Sequence, residues 1–236
     1  MDLHGWATTD RDGRIALRIE ARDLPPIGVY DLHFRVRGDS SSTGAQLRVV
    51  PEGTKTIVVD IDGTLTTDDV ELFEDIFVEL MEPLLDDYVP EARVGAVGLT
   101  ERRYYGQGYL LVYLTGRPYW LTEITRRWLE TKDMAPGHLH LTDSNGESVP
   151  DEGGVGRFKA EYVEHLTDLG LDVTYAYGNA ATDIYAYEKA GVPKSSTFII
   201  GPNGGKRGTV DLGDNYIRHN QDIRDDGPAE QPFDWQ

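Results

Sequence analysis

Ile57-Val58-Val59-Asp60-Ile61-Asp62-Gly63-Thr64 decides the fold class of this 236-residue chain. Three β-branched apolar residues in succession suit a strand covered on both faces, and two carboxylates follow at its carboxyl end. Ligands of open α/β sheets bind at that end. Working outward, further apolar runs predict strands over Thr56 to Asp60, Tyr109 to Thr115, His138 to Leu141, Thr174 to Tyr177 and Thr197 to Ile200. Segments of helical period lie between them: Val70 to Met81, Arg93 to Tyr105, Tyr119 to Thr131, Phe158 to Leu169 and Ala181 to Ala190. Strands alternating with helices make an α/β protein with a doubly wound parallel sheet.

Residues 1–52 have a different texture. Short alternating or aromatic runs, Arg14 to Ile19, Val29 to Val36 and Gln46 to Val50, are separated by Pro25-Pro26-Ile27-Gly28 and a polar stretch from Gly38 to Gly44. They predict a small antiparallel β module. The main domain is expected over 53–205, with a small cap insertion at about 68–90. Residues 206–236 read as a polar C-terminal tail with a short apolar patch at Tyr216-Ile217.

The balance of 23 Lys plus Arg against 41 Asp plus Glu gives a net charge of −18, which repels nucleic acid and anionic surfaces at long range. A phosphate-bearing ligand must be held locally, by a few cations, a metal or backbone N–H groups. With no Cys, disulfides, thiol nucleophiles and Cys-ligated metals are excluded. No apolar run reaches the length of a membrane span. Met1-Asp2-Leu3-His4-Gly5 lacks the basic and apolar features of a secretory signal, so a cytoplasmic location is expected.

Four motifs carry the chemistry. Asp60 and Asp62 are two apart and share a direction, so Asp60 can attack phosphorus while Asp62 serves the leaving oxygen as general acid and later activates water. Gly63 turns the chain sharply, and with Thr64 it offers substrate contacts. Tyr113-Leu114-Thr115-Gly116-Arg117-Pro118 runs from strand to loop, placing the Thr115 hydroxyl, Gly116 and Arg117 near a helix start that suits a phosphate. Lys159, in Arg157-Phe158-Lys159, offsets charge between nucleophile and phosphate. Gly178-Asn179-Ala180-Ala181-Thr182-Asp183 presents Asn179 and Asp183 at the same sheet edge. Converging carboxylates and a phosphate repel, which calls for Mg²⁺: Asp60 and Asp183 as carboxylate ligands, Asp62 through its carbonyl, and Asn179.

Nucleophile strand, Thr strand, Lys and acidic loop, in this order, resemble the haloacid-dehalogenase superfamily of phosphohydrolases. The closer likeness is to the lipin-type domain shared by lipin phosphatidate phosphatases and membrane-associated phosphatidylinositol transfer proteins. It rests on Gly5-Trp6-Ala7-Thr8-Thr9-Asp10 with Gly28-Val29-Tyr30, on residues 113–118, and on Gly178 through Asp183 into Ile184-Tyr185-Ala186-Tyr187. The resemblance implies that the amino-terminal module is immunoglobulin-like and that phosphatidate, with peripheral membrane contact, is the substrate. In the transfer-protein branch the position of Asp60 is not Asp and the domain senses phosphatidate without hydrolysing it, whereas this chain keeps both aspartates, like the lipins.

Plainer readings accompany each motif. Asp60-Ile61-Asp62-Gly63 with Glu71 imitates a calcium loop, but its Gly stands at position four instead of six. Thr115 could simply end a strand and Lys159 could be an exposed helix residue. Asn179 could cap the following helix, and Asp183 could serve its dipole. His138 and His140 lack a third ligand in view. In the 70–87 helix, Phe73, Phe77 and Leu80 oppose an acidic face, as in a lid over the site or a helix packed on the domain. Tyr119 and Trp120 either line a lipid entrance or pack on a helix.

Overall fold

The structure is a computed structural model that describes residues 6–11, 15, 19–67, 90–143 and 152–229. The expected helix at Val70 to Met81, and with it the cap at about 68–90, lies almost wholly outside them, as does the expected strand at Arg14 to Ile19 for the most part. Contacts divide the chain into two units, 1–51 and 52–236.

In the first unit, β1 (Gly28–Arg35) pairs antiparallel with β2 (Ser42–Val49), from Gly28 opposite Val49 to Arg35 opposite Ser42. Partly buried and exposed residues alternate along β1, as for a sheet with one covered face. An immunoglobulin-like sandwich needs more strands than these two, and the described residues of the unit contain no others.

The second unit is built on β3 (Lys55–Val59), β4 (Leu110–Pro118), β5 (His138–Thr142), β6 (Asp172–Gly178), β7 (Thr197–Ile199) and β8 (Val210–Asp211). They form one sheet in the order β5-β4-β3-β6-β7-β8 with every pairing parallel. The expected doubly wound parallel sheet is therefore present. Strand order reverses beside β3, so the crevice that such sheets leave for ligands opens where Asp60 follows Val59.

Strand parity assigns the two layers. Ile57 and Val59 of β3, with Leu111 and Tyr113 of β4, face Leu99 of α1 (Ala96–Glu101), Trp128 and Leu129 of α2 (Thr122–Thr131), Tyr216 and Ile223. Val58, Val112 and Leu114 face Phe158, Val163 and Leu166 of α3 (Arg157–Asp168) and Ala186 and Tyr187 of α4 (Ala181–Lys189). Fully burying each such aliphatic side chain contributes about 1.5–3 kcal/mol. The expected helix from Arg93 to Tyr105 is interrupted: Gly95 is left-handed at φ 85°, α1 ends at Glu101, and a π-helical turn runs over Arg102–Gly106.

Residues 206–229 are not a tail. They supply β8, the edge of the sheet, and α5 (Ile217–Asp222), flanked by Tyr216 and Ile223, which are 0% and 5% exposed. Buried Arg103 donates to the Tyr177 hydroxyl (3.0 Å) and to Gln107 (2.8 Å). Gln107 in turn bonds the carbonyls of Ile223 and Asp226 and accepts the N–H of Ala229. A buried guanidinium is tolerable because its donors are matched, and here the match fastens the C-terminal segment to the sheet.

Candidate active site

Asp60 continues the parity of Val58, toward the layer of α3 and α4. Its carboxyl group is buried, at 3% exposure, and Oδ1 accepts from Lys159 Nζ at 2.7 Å. Lys159, in the first turn of α3, also donates to Asp183 Oδ1 at 2.6 Å. The other oxygen of Asp183 accepts the N–H groups of Asn179 and Ala180 at 2.9 and 3.0 Å, which are amides left without helical partners at the start of α4. Asp183 is thus both a helix-terminal acceptor and the anchor of the lysine. Gly178 permits this approach: a Cβ there would stand 2.5 Å from that of Asp183.

Thr64 closes the site from below, its hydroxyl lying 2.8 Å from Asp60 Oδ2 and 3.1 Å from Asn179 Oδ1. The loop reaches this position through Gly63, whose φ of 69° disfavours any side chain. Burial, assisted by the charges of Asp183 and Asp62 and opposed by Lys159, pushes the Asp60 carboxyl up to about 7 from 3.8. Burial pulls the Lys159 ammonium the other way, but Asp183 and Asp60 outweigh it and leave the pKa above the ordinary lysine value.

Asp62, in the loop after β3, is held by the carboxyl end of β4. Arg117 Nε lies 3.1 and 2.9 Å from its two oxygens, and Nη2 lies 2.6 Å from Oδ1. Thr115 donates to Asp62 Oδ2 at 3.0 Å and accepts the N–H of Arg117 at 3.1 Å. The Arg117 guanidinium, a candidate phosphate contact, grips the second aspartate and reaches Thr125 at 3.1 Å. Gly116 lies against Val155, which a Cβ would meet at 2.9 Å.

These contacts bear on the expected metal set. Among the described residues no three His, Cys, Asp or Glu side chains are grouped to hold a metal ion. Lys159 stands between Asp60 and Asp183, and Arg117 stands on Asp62, so the repulsion that called for a cation is answered by side chains. Both Asp183 oxygens accept hydrogen bonds, Oδ1 from Lys159 and Oδ2 from the Asn179 and Ala180 amides. Asp60 Oδ2 and Asn179 Oδ1 converge on the Thr64 hydroxyl, and both are oxygen atoms of the kind a hard cation takes. Asp60, Asp183 and Asn179 are thus brought together around Lys159 and Thr64, and Asp62 lies against Arg117.

Sequence reasoning missed three supports. Arg93 Nη2 donates to the Gly63 carbonyl at 2.6 Å, the Tyr216 hydroxyl to the Thr64 carbonyl at 3.1 Å, and Asn203 Nδ2 to the Asn179 carbonyl at 2.8 Å. Each acts on backbone, for which local pattern carries no signal. His138 and His140 stack against Tyr162 and stand apart from the site. Tyr119 and Trp120 are 39% and 48% exposed.

Residues 57–201 match the family model described as PITM 1-3, LNS2 domain. The chain belongs to this LNS2-domain family. This LNS2 domain is 32% identical over 215 residues to Protein retinal degeneration B of Drosophila melanogaster, covering 89% of the chain and 15% of that protein. It is 28% identical over 198 residues to the human Membrane-associated phosphatidylinositol transfer protein 1 (84% of the chain, 14% of the relative). For human Membrane-associated phosphatidylinositol transfer protein 3 the identity is 29% over 194 residues (82% and 18%). The chain thus spans less than a fifth of the length of these relatives. Among solved structures, D,D-heptose 1.7-bisphosphate phosphatase from B. bronchiseptica, complexed with magnesium and phosphate, is similar with a TM-score of 0.49 at 17% identity, over 72% of this chain and 98% of the other. Class C acid phosphatase from Bacillus anthracis is similar with a TM-score of 0.40 at 18% identity, over 56% and 54%. No helix among the described residues is long and apolar enough to cross a membrane.

Proposed function

We propose that this LNS2 domain hydrolyses phosphomonoesters through an aspartyl-phosphate on Asp60, with Mg²⁺ as cofactor and phosphatidate as the candidate substrate. The observation that carries the reading is the pairing of Asp60 with Lys159 at 2.7 Å, at the strand end where doubly wound sheets bind ligands. A bare turn of two aspartates would not need a buried lysine held at 2.6 Å by a third carboxylate.

In the first step an Asp60 oxygen forms a bond to phosphorus while the bond to the leaving oxygen breaks, and Asp62 gives that oxygen a proton. In the second, Asp62 takes a proton from water, the water oxygen bonds to phosphorus, and Asp60 leaves with inorganic phosphate as product. Lys159 keeps its proton and fixes the nucleophile. Thr115 and the backbone around Gly116 receive the phosphoryl oxygens. For Asp62 to donate, one of its oxygens parts from Arg117, whose guanidinium then serves the phosphate. Asp60, Asp183 and Asn179, with the Asp62 carbonyl, would hold Mg²⁺, which when bound supplies neutralising charge to the phosphoryl oxygens.

Phosphatidate as substrate is supported by kinship with proteins named as phosphatidylinositol transfer proteins, and it brings peripheral contact with a membrane surface. The test is release of inorganic phosphate, with and without Mg²⁺, from a soluble phosphomonoester and from phosphatidate vesicles, by the natural chain and Asp60→Asn. Turnover that needs both Mg²⁺ and Asp60 is expected. Turnover surviving Asp60→Asn would refute the nucleophile, and vesicle binding without turnover would place the chain among lipid-sensing modules.

A further inference from the structure

We infer that the C-terminal segment around Tyr216, together with Arg93, sets the conformation of the nucleophile loop, making Tyr216 and Arg93 positioning residues for Asp60. Both act beyond or outside the four sequence motifs, and Tyr216 lies beyond the 57–201 stretch that the family model matches.

The loop from Ile61 to Thr66 is a tight turn: the N–H groups of Thr64, Leu65 and Thr66 all point to the Ile61 carbonyl, and the Gly63 N–H bonds Thr66 Oγ1 at 2.9 Å. With its amides turned inward, its outward carbonyls at Gly63 and Thr64 need partners from elsewhere. Arg93 Nη2 reaches the first at 2.6 Å, and the Tyr216 hydroxyl reaches the second at 3.1 Å. Arg93 is itself tied to the C-terminal segment, its Nη1 donating to the Asp214 carbonyl at 3.2 Å. The Tyr216 N–H bonds the Val94 carbonyl at 3.0 Å, and Asn220 Nδ2 bonds the Gly95 carbonyl at 2.8 Å.

Segments 61–66, 93–95 and 214–220 therefore form one hydrogen-bonded unit, and its output is the position of Thr64. The Thr64 hydroxyl stands 2.8 Å from Asp60 Oδ2. Tyr216 is 0% exposed, so its hydroxyl has no water to return to, and this bond is its defined use. A shift of the loop by a fraction of an ångström changes the angle at which Asp60 meets phosphorus without changing the groups that bind the phosphate.

The kinetic arm of the test rests on Asp60 as nucleophile; the structural arm does not. Tyr216→Phe removes one hydroxyl and keeps the ring in the core, while Arg93→Met acts from the other side of the loop. In the full chain, kcat and KM for a soluble phosphomonoester are measured beside backbone hydrogen exchange across the domain. Expected for each variant is a kcat lower by about tenfold or more, KM within about twofold, and faster exchange confined to 60–66, with β4 and β6 unchanged. Faster exchange across the whole sheet, with kcat and KM falling only in proportion to folded protein, would reduce both residues to general stabilisers and overturn the inference. So would unchanged exchange at 60–66 in both variants. If the natural chain shows no turnover, the proposed function fails, and the exchange data still decide the role of Tyr216 and Arg93.

Discussion

Arg117 holds Asp62 through three contacts of 3.1 Å or less, with Nε near both carboxylate oxygens and Nη2 on Oδ1. A planar fork of donors matches a carboxylate as an ammonium cannot. Arg117→Lys should therefore behave almost as Arg117→Ala does, lowering kcat/KM for a phosphomonoester by about ten- to a hundredfold through loss of acid–base work at Asp62. A comparison of alkyl and aryl phosphomonoesters checks the assignment: the loss should be smaller for the aryl ester, whose leaving oxygen has less need of a proton, whereas equal losses would detach Arg117 from the acid–base work of Asp62.

Asp60 links stability to pH. Its folded pKa, about 7, exceeds the ordinary 3.8, so the folded state keeps a proton that the unfolded chain gives up. That contribution is fully present below about pH 3.8 and is lost as pH rises through about 7. Asp60→Asn cannot ionise and escapes the loss. Thermal unfolding at about pH 5 and about pH 8 should show the variant gaining stability over the natural chain at the higher pH. A gain confined to the lower pH would contradict the sign.

Removing Lys159 should be among the costliest changes in the domain. It is buried with both carboxylate partners, and truncating one member of a buried charged set costs about 3–5 kcal/mol because the rest stays uncompensated. Urea unfolding of Lys159→Met should show this loss. Lys159→Met combined with Asp183→Asn should lose less than the sum of the two single variants. Strict additivity would mean that the two side chains do not interact.

Gly178→Ala tests the closeness of β6 to Asp183. The added methyl would sit 2.5 Å from the Asp183 Cβ and 2.6 Å from its Cγ, so the carboxylate must leave the Asn179 and Ala180 amides. A cost of about 1–3 kcal/mol is expected. Gly38→Ala, with nothing within 4 Å, should stay within about 0.5 kcal/mol, and equal costs at the two positions would refute the crowding.

The strands of the main sheet were legible because burial on both faces leaves unbroken apolar runs such as Ile57-Val58-Val59 and Leu110-Leu111-Val112. Asp60, Lys159 and Asp183 were legible because each follows or opens a regular element, whose period fixes its direction. The partner of Arg117 was not, since its contact with Asp62 spans 55 residues and no local pattern encodes it. Residues 206–229 misled for a compositional reason: their buried anchors, Tyr216, His219, Ile223 and Ala229, are scattered among charged and Gly residues. Two residues of β8 are too short a run to read as a strand.

The bond from the Tyr216 hydroxyl to Thr64 spans 152 residues. A ribosome makes the tyrosine 152 residues after Thr64, so the loop stays unfinished while that stretch is made. Contacts of such separation carry a high loop-closure cost and form slowly. Assembly of the domain thus sets a clock on the site: the loop beside Asp60 acquires its last hydrogen bond only once the stretch from Thr64 to Tyr216 has been made.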